Sequence, residues 1–312
     1  MYLAFRNINL GTLLKDLQQA NYLWIVGALC VSTLANMSRA YRWGMLIEPF
    51  HKRPKFMNLF RSINSGYLAN LAFPRLGEVT RCTALYEVEG VSIDALVGTV
   101  IVERILDVII LLVLIIGTTL SNVDKFGGYF MKLFGDKLNF VKSISALEAG
   151  VLVVVLGLIA GALFAARKKL FALPLSKKLI GLTAGLVNGF KSIFQLKNWK
   201  AFLFHSILIW TLYYFAGFVA FYALPETSGL GFSACLLVLV AGSIGMSAPV
   251  QGGFGTYHLM VASGLALYGV EKGLVYATIV HSSQVLLILI QGSMGILLLN
   301  FAKRKQLRDA TA

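Results

Sequence analysis

The sequence predicts an all-α polytopic membrane protein, an inverted-topology repeat with two broken re-entrant hairpins. Three observations carry that expectation. Hydrophobic residues make up 57% of the 312 and charged residues only 13%, with a mean hydropathy of +0.76, whereas ordinary globular domains carry roughly 25% charged residues. Apolar runs of the ~20 residues that cross a ~30 Å hydrocarbon core recur along the chain. The net charge of +14, from 28 Lys and Arg against 14 Asp and Glu, sits between particular runs, which suits anionic headgroups rather than nucleic acid. One integral membrane domain, 1–312, is expected, with no soluble domain of any size.

Taken in order, the first run, 22–38, is short but almost free of charge, and 93–120, 147–166, 201–224 and 274–300 are full-length spans. The segments 59–73, 230–248 and 254–270 are apolar but border Pro and Gly breaks, and the first and last are short. Cys30, Cys82 and Cys235 show no metal spacing and read as reduced packing residues. Between the spans, 175–196 carries Leu175, Leu179, Leu182, Leu186, Phe190 and Ile193 at helical spacing with lysines between them. This fits a basic amphipathic helix on the inner leaflet, or simply a connecting surface helix. Gly181, Gly185 and Gly189, four apart, permit close helix packing.

Lys and Arg near span ends mark the cytoplasmic side. Arg39, Arg42, Lys52, Arg53, Lys55 and Arg61 stand against Glu48 alone, Arg167 to Lys200 holds eight basic residues and no acid, and the tail has Lys303, Arg304, Lys305 and Arg308 against Asp309. All three segments are cytoplasmic, the C-terminus included, if the stretches around Pro74 and Pro249 each enter and leave on one side. The expected location is a bacterial inner membrane. Each half then reads span, short segment, break, short segment, long span, in opposite orientation, with halves of about 1–146 and 147–312. The span 147–166 has no counterpart in the first half, which begins with an apolar scrap, Met1 to Phe5. A lost first span, or a start upstream of Met1, is therefore expected. A signal peptide would need a basic start and a longer apolar core.

The polar residues inside these runs are the candidate site. In Phe73-Pro74-Arg75-Leu76-Gly77-Glu78-Val79-Thr80-Arg81, Pro74 removes an amide donor and Gly77 permits non-helical angles, so the hairpin breaks there. Arg75, Glu78 and Arg81 fall at i, i+3 and i+6, and two guanidiniums with one carboxylate leave a net positive site suited to phosphate. The plainer reading is a cytoplasmic loop with an ordinary salt bridge. Glu103, Arg104 and Asp107 lie about 16 Å along the next span if its helix starts near Ser92. Charges at that depth cost at least ~2.5 kcal/mol each, so they should be paired, with Arg104 able to reach Asp107 at i, i+3. They are either a structural clamp or a substrate site. Pro249-Val250-Gln251-Gly252-Gly253-Phe254-Gly255-Thr256-Tyr257-His258 makes the second break, where three glycines with a proline suit an unwound turn whose backbone nest could bind an anion. His258, with His281 and Gln284 in the next span, is a packing hydrogen bonder or a proton carrier, and no pair here has metal spacing.

These motifs resemble the lysylphosphatidylglycerol synthase transmembrane-domain family, also called flippase-like, over about Tyr22 to Asn300. The likeness is carried by Arg39 to Trp43, Gly66-Tyr67-Leu68-Ala69-Asn70, Pro74 to Arg81, Glu103-Arg104 with Asp107, and Pro249 to Gly255. It implies a membrane domain that moves lipids or lipid-linked groups between leaflets. Some members fuse it to a cytosolic domain that attaches lysine to phosphatidylglycerol. This chain is expected to be the stand-alone membrane part. Where many relatives carry Glu after the glycine turn, this sequence has His258. Relatives also usually begin with one more hydrophobic span.

The expected function is thus a flippase-type transporter of a lipid or lipid-linked headgroup, not an enzyme, with no cofactor and no nucleic acid. Its partners are membrane lipids with anionic or phosphate-bearing headgroups, with a homo-oligomer possible. Arg75, Glu78 and Arg81 would hold a phosphate, Glu103, Arg104 and Asp107 would brace or complete the site, and Gln251, Gly252, Gly253 and His258 would line it. A non-transporting partner of a lipid or envelope biosynthesis complex is the alternative. A membrane-embedded lipid-modifying enzyme would need a nucleophile or metal set that the sequence does not offer, and no P-loop is present for ATP hydrolysis. The topology is testable: in a cysteine-free background, an impermeant thiol reagent on intact cells should label cysteines at Asn122 and Thr227 and spare those at Ser176, Gln195 and Gln306. Labelling at 195 but not at 122 would overturn the orientation and the repeat together.

Overall fold

The computed structural model describes residues 17–121, 123–129, 131, 189 and 191–311, and among these the chain is helical, without a strand. Helix α1 (Tyr22–Ile47) opens where the Asn21 side chain, on extended backbone, accepts the Leu23 amide, a standard way to satisfy a free helix donor. The sequence reading stopped this span at 38. The helix instead continues to Ile47, and Arg39, Arg42 and Trp43 on that extension are all buried. Arg39 and Arg42 are therefore not loop cations.

Next, α2 (Phe56–Ala72) and α3 (Leu76–Glu89) form an antiparallel pair. Pro74 ends α2, because it forces the residue before it out of helical angles: Phe73 lies at φ −138°, ψ 132°. At the base of the pair, Glu89 Oε1 accepts from Asn58 Nδ2 at 2.7 Å and from the Lys55 amide at 3.0 Å. Near the tip, Gly66 and Gly77 bring the two backbones together, and Gly77 N donates to Asn70 Oδ1 at 2.7 Å. Helix α4 (Ile93–Ser121) follows, 29 residues or about 43 Å long at 1.5 Å per residue.

The order then repeats. After a 3-10 turn at Ser192–Gln195 comes α5 (Trp199–Phe221), whose Ala201 amide is capped by the Asn198 side chain. Then come α6 (Phe232–Ser247), a broken stretch holding the 3-10 turn Gln251–Gly253, α7 (Thr256–Ala266) and the long α8 (Gly273–Thr311). Here too small residues permit the close approach: Gly242 and Gly245 lie against Tyr257, and Thr256 Oγ1 donates to Gly245 O at 2.8 Å. Helices α1, α5 and the Gly273–Arg304 part of α8 are long and apolar enough to cross a membrane.

Contacts between elements fix the two ends of the bundle. Helices α1 and α5 run antiparallel: Asn21 N donates to Ala223 O at 2.8 Å, and Ser38 Oγ lies 2.8 Å from His205 Nδ1 toward the other end. At that other end, Lys197 pairs with Glu48 at 3.4 Å and Lys303 with Glu87 at 3.3 Å, beside the base of the α2–α3 pair. The described parts of all three basic segments therefore gather at one end, called here the basic end. The α6–α7 pair has its base at the far end, where Ala234, Leu265 and Val270 pack with Ala20 and Leu224 and Lys272 pairs with Glu226 at 2.9 Å. The tips of the two pairs meet: Gln251 Nε2 donates to Ala72 O at 3.1 Å.

The expected span 147–166 lies outside the described residues, as does most of 175–196. Of its three glycines Gly189 alone is described, and its Cα sits so close to α4 that a Cβ there would lie 2.2 Å from Ala95 O. Cys82 and Cys235 are buried and Cys30 is exposed, all as free thiols. A Cβ at Gly77 would lie 2.2 Å from Gly66 O, whereas one at Gly117 meets nothing within 4 Å. Gly77→Ala should therefore cost about 1–3 kcal/mol through overpacking, while Gly117→Ala should hold or raise stability. Melting curves in detergent, read by tryptophan fluorescence, check the pair.

Candidate functional site

Four helices build a buried ion network. The end of α1 turns Arg39, Arg42 and Trp43 toward α4, and α4 presents Thr99, Glu103 and Asp107, spaced four apart along one face. Arg81 comes from α3 and Ser206 from α5. Glu103 accepts at both oxygens, from Arg81 Nη2 at 2.5 Å and Arg42 Nη2 at 3.3 Å. Asp107 does the same with Arg42 Nη2 at 3.0 Å and Arg39 Nη1 at 2.9 Å. Arg42 Nη1 also donates to Ser206 Oγ at 3.3 Å. The Arg81 guanidinium lies 4.7 Å above the Trp43 ring, and Trp43 Nε1 donates to Thr99 Oγ1 at 2.9 Å. The Glu103 and Arg42 side chains are 0% exposed. Charges so placed are tolerable only because each meets an opposite one.

The structure divides the residues singled out in the sequence. Arg75, Glu78 and Arg81 do not share one face. Arg81 turns inward to Glu103, and Glu78 Oε1 faces Arg104 Nε at 3.9 Å on the outside of the bundle. Arg75 is exposed at the hairpin tip. It adopts φ 64°, ψ 2°, left-handed backbone that no other non-glycine residue shows among the described residues. The expected Arg104–Asp107 pair is also corrected. Both Asp107 oxygens are taken by α1, and Arg104 points away toward Glu78. Arg39 and Arg42 were missed as site residues. Their signal was the lack of any helix breaker between Ser38 and Trp43, which lets the helix carry them inward.

At the second break, Gly252 and Gly253 take φ 53° and 73°, angles that glycine adopts freely. Three amides at the expected anion nest are taken up within the turn. The amides of Gly253, Phe254 and Gly255 donate to Val250 O, Gln251 O and His258 Nδ1. His258 and His281 are both buried, with ring centroids 4.9 Å apart. His281 Nε2 lies 2.8 Å from Gly252 O, so that nitrogen carries a proton, and its ring stacks on Tyr257 at 5.1 Å. These contacts brace the glycine turn. Among the described residues no group of three His, Cys, Asp or Glu could hold a metal ion.

An all-helical bundle with spanning helices closed around a buried ion network is the structure of an integral membrane protein. The model of one family, described as the lysylphosphatidylglycerol synthase TM region, matches residues 1–292. The chain belongs to that family, which places it among membrane proteins of lipid-related function. No curated protein and no solved structure matches it.

Because Glu103 pairs with two arginines from different helices, Glu103→Gln should cost about 3–5 kcal/mol. The more exposed Glu78, 3.9 Å from Arg104, should cost at most about 1 kcal/mol when changed to Gln. Equal losses in chemical or thermal denaturation would refute this division.

Proposed function

We propose that this chain is a flippase-type transporter, moving a lipid or lipid-linked group with a phosphate-bearing headgroup between leaflets. The observation that carries the proposal is the meeting of two broken helix pairs, approaching from opposite ends of the bundle, beside an exposed arginine. In this reading the basic end is cytoplasmic, the α2–α3 pair is re-entrant from the cytoplasm and the α6–α7 pair from outside. The halves, α1 to α4 and α5 to α8, are then an inverted repeat of the kind whose broken helices mark a substrate site near the midplane.

The path favoured for the headgroup runs along α3 and α4. Arg75, Glu78 and Arg104 line it, with a net charge of +1, and the exposed apolar side chains Phe73, Leu76, Val79, Ile101, Ile105 and Val108 flank it. A lipid there keeps its chains against apolar surface while the headgroup meets guanidinium. The fork of Arg75 suits the paired oxygens of a phosphate. The buried network behind it is the frame on which the hairpin is held. A non-transporting partner of a lipid-synthesis complex would need none of these exposed charges at membrane depth.

Left-handed backbone costs a non-glycine residue about 1–2 kcal/mol, and strain of this kind persists at sites that use it. Arg75→Gly relieves it and should fold at least as stably as wild type. Arg75→Lys keeps the charge without the fork. Both should lose most lipid movement in proteoliposomes carrying fluorescent phospholipids. Wild-type rates in both variants would remove Arg75 from the transport path.

A further inference from the structure

Among the described residues, the buried ion network is one negative charge short. Three guanidiniums, those of Arg39, Arg42 and Arg81, face two carboxylates, those of Glu103 and Asp107. The three arginine side chains are at most 6% exposed. The adjoining pair of Arg104 and Glu78 is neutral in itself, and Glu48, Glu87 and Glu226 pair with lysines at the bundle ends. Arginine does not shed its proton in proteins, so the excess cannot be titrated away as that of a lysine could. An uncompensated charge at this depth is costly.

The unmet donors point the same way. The Nε–H groups of Arg39, Arg42 and Arg81 are all buried and all without an acceptor, although each guanidinium donates through its Nη atoms. Water could satisfy the donors but brings no charge. Asp107 and Arg39, at 12% and 6% exposed, are its most open members, against 5% for Arg81 and 0% for Arg42 and Glu103, so an entering ion would meet Arg39 first. A guanidinium edge, Nε with one Nη, matches two oxygens of one group better than it matches a spherical ion.

We infer that the arginine trio binds an oxyanion of the phosphate or phosphodiester class, whose oxygens accept from the free Nε–H groups, Arg39's first, and whose charge balances the network. The inference rests on the transporter reading only for the source of the oxyanion, which is either a lipid headgroup or free phosphate.

The test is the melting temperature of the full chain in dodecyl maltoside, in a buffer without oxyanions. It is measured alone, with inorganic phosphate, with phosphatidylglycerol and with uncharged diacylglycerol. A ligand that binds only the folded state raises Tm. An upward shift of several degrees is expected with phosphate or phosphatidylglycerol and none with diacylglycerol. A response to the lipid alone assigns a headgroup, to phosphate alone a free ion, and to both the shared chemistry. Arg39→Gln leaves two arginines against two carboxylates. Without oxyanion it should melt no lower than wild type, and it should not respond to either anion. Should Arg39→Gln fail to fold, Arg39→Lys, which keeps the charge but lacks the Nε donor, should weaken phosphate or lipid binding at least tenfold by titration. No anion response in wild type, or an undiminished response in the variants, overturns the inference. Anion-dependent stability without lipid movement would keep this site and sink the transporter reading. Lipid movement with anion-independent stability would do the reverse.

Discussion

One carboxylate sets the positions of three helices. Glu103 on α4 takes Arg42 from α1 on one oxygen and Arg81 from α3 on the other, so α1, α3 and α4 meet at a single group. The attraction is strong because the surroundings are apolar, but the same surroundings make the desolvation of each partner costly. What the arrangement secures is therefore register more than net stability. If α3 slid by one turn, Arg81 would leave Glu103, and a buried carboxylate and guanidinium would both lose a partner. Trp43 repeats the same connection in another form, since its ring carries Arg81 and its Nε1 reaches Thr99. Changing any one of these helices disturbs the other two.

Around that centre the helices approach through small residues. Gly292 and Gly295 of α8 lie against the Asn64 and Arg61 carbonyls of α2, and Gly66 faces Gly77 within the hairpin. Lipid chains are as apolar as leucine, so burial alone gives helices little reason to associate in a membrane, and close backbone contact has to supply the attraction. The polar face of α2 fits the same logic: Asn58, Ser62, Asn64 and Ser65 are all buried in a helix that would otherwise read as an ordinary apolar segment.

Much of this was legible in the sequence, because the signals were local. Pro74 and the glycines after Pro249 mark the breaks through backbone chemistry alone, and runs without charge mark the spans. The place of Glu103 well inside its helix followed from counting residues. What failed was partner choice. Arg104 stands next to Glu103 in sequence and within helical reach of Asp107, yet the oxygens of both carboxylates are filled by arginines from α1 and α3. Sequence spacing cannot show a partner more than twenty positions away. Arg39 and Arg42 were misread for a related reason: basic residues after an apolar run look like a loop facing headgroups until another helix is found to need them. Spacing also could not show that the amides of Gly253, Phe254 and Gly255 find acceptors within the turn itself.

The meeting of the hairpin tips has an electrical consequence. A helix end carries roughly half an elementary charge, positive at the N-terminus and negative at the C-terminus. Each broken pair brings one of each to the junction: α2 ends and α3 begins there, and so do α6 and α7. The four fractional charges sum to about zero, unlike the field of a lone half-helix aimed at an ion. The potential in that region is left to full charges, and Arg75 is the one that the chain sets at the tip itself.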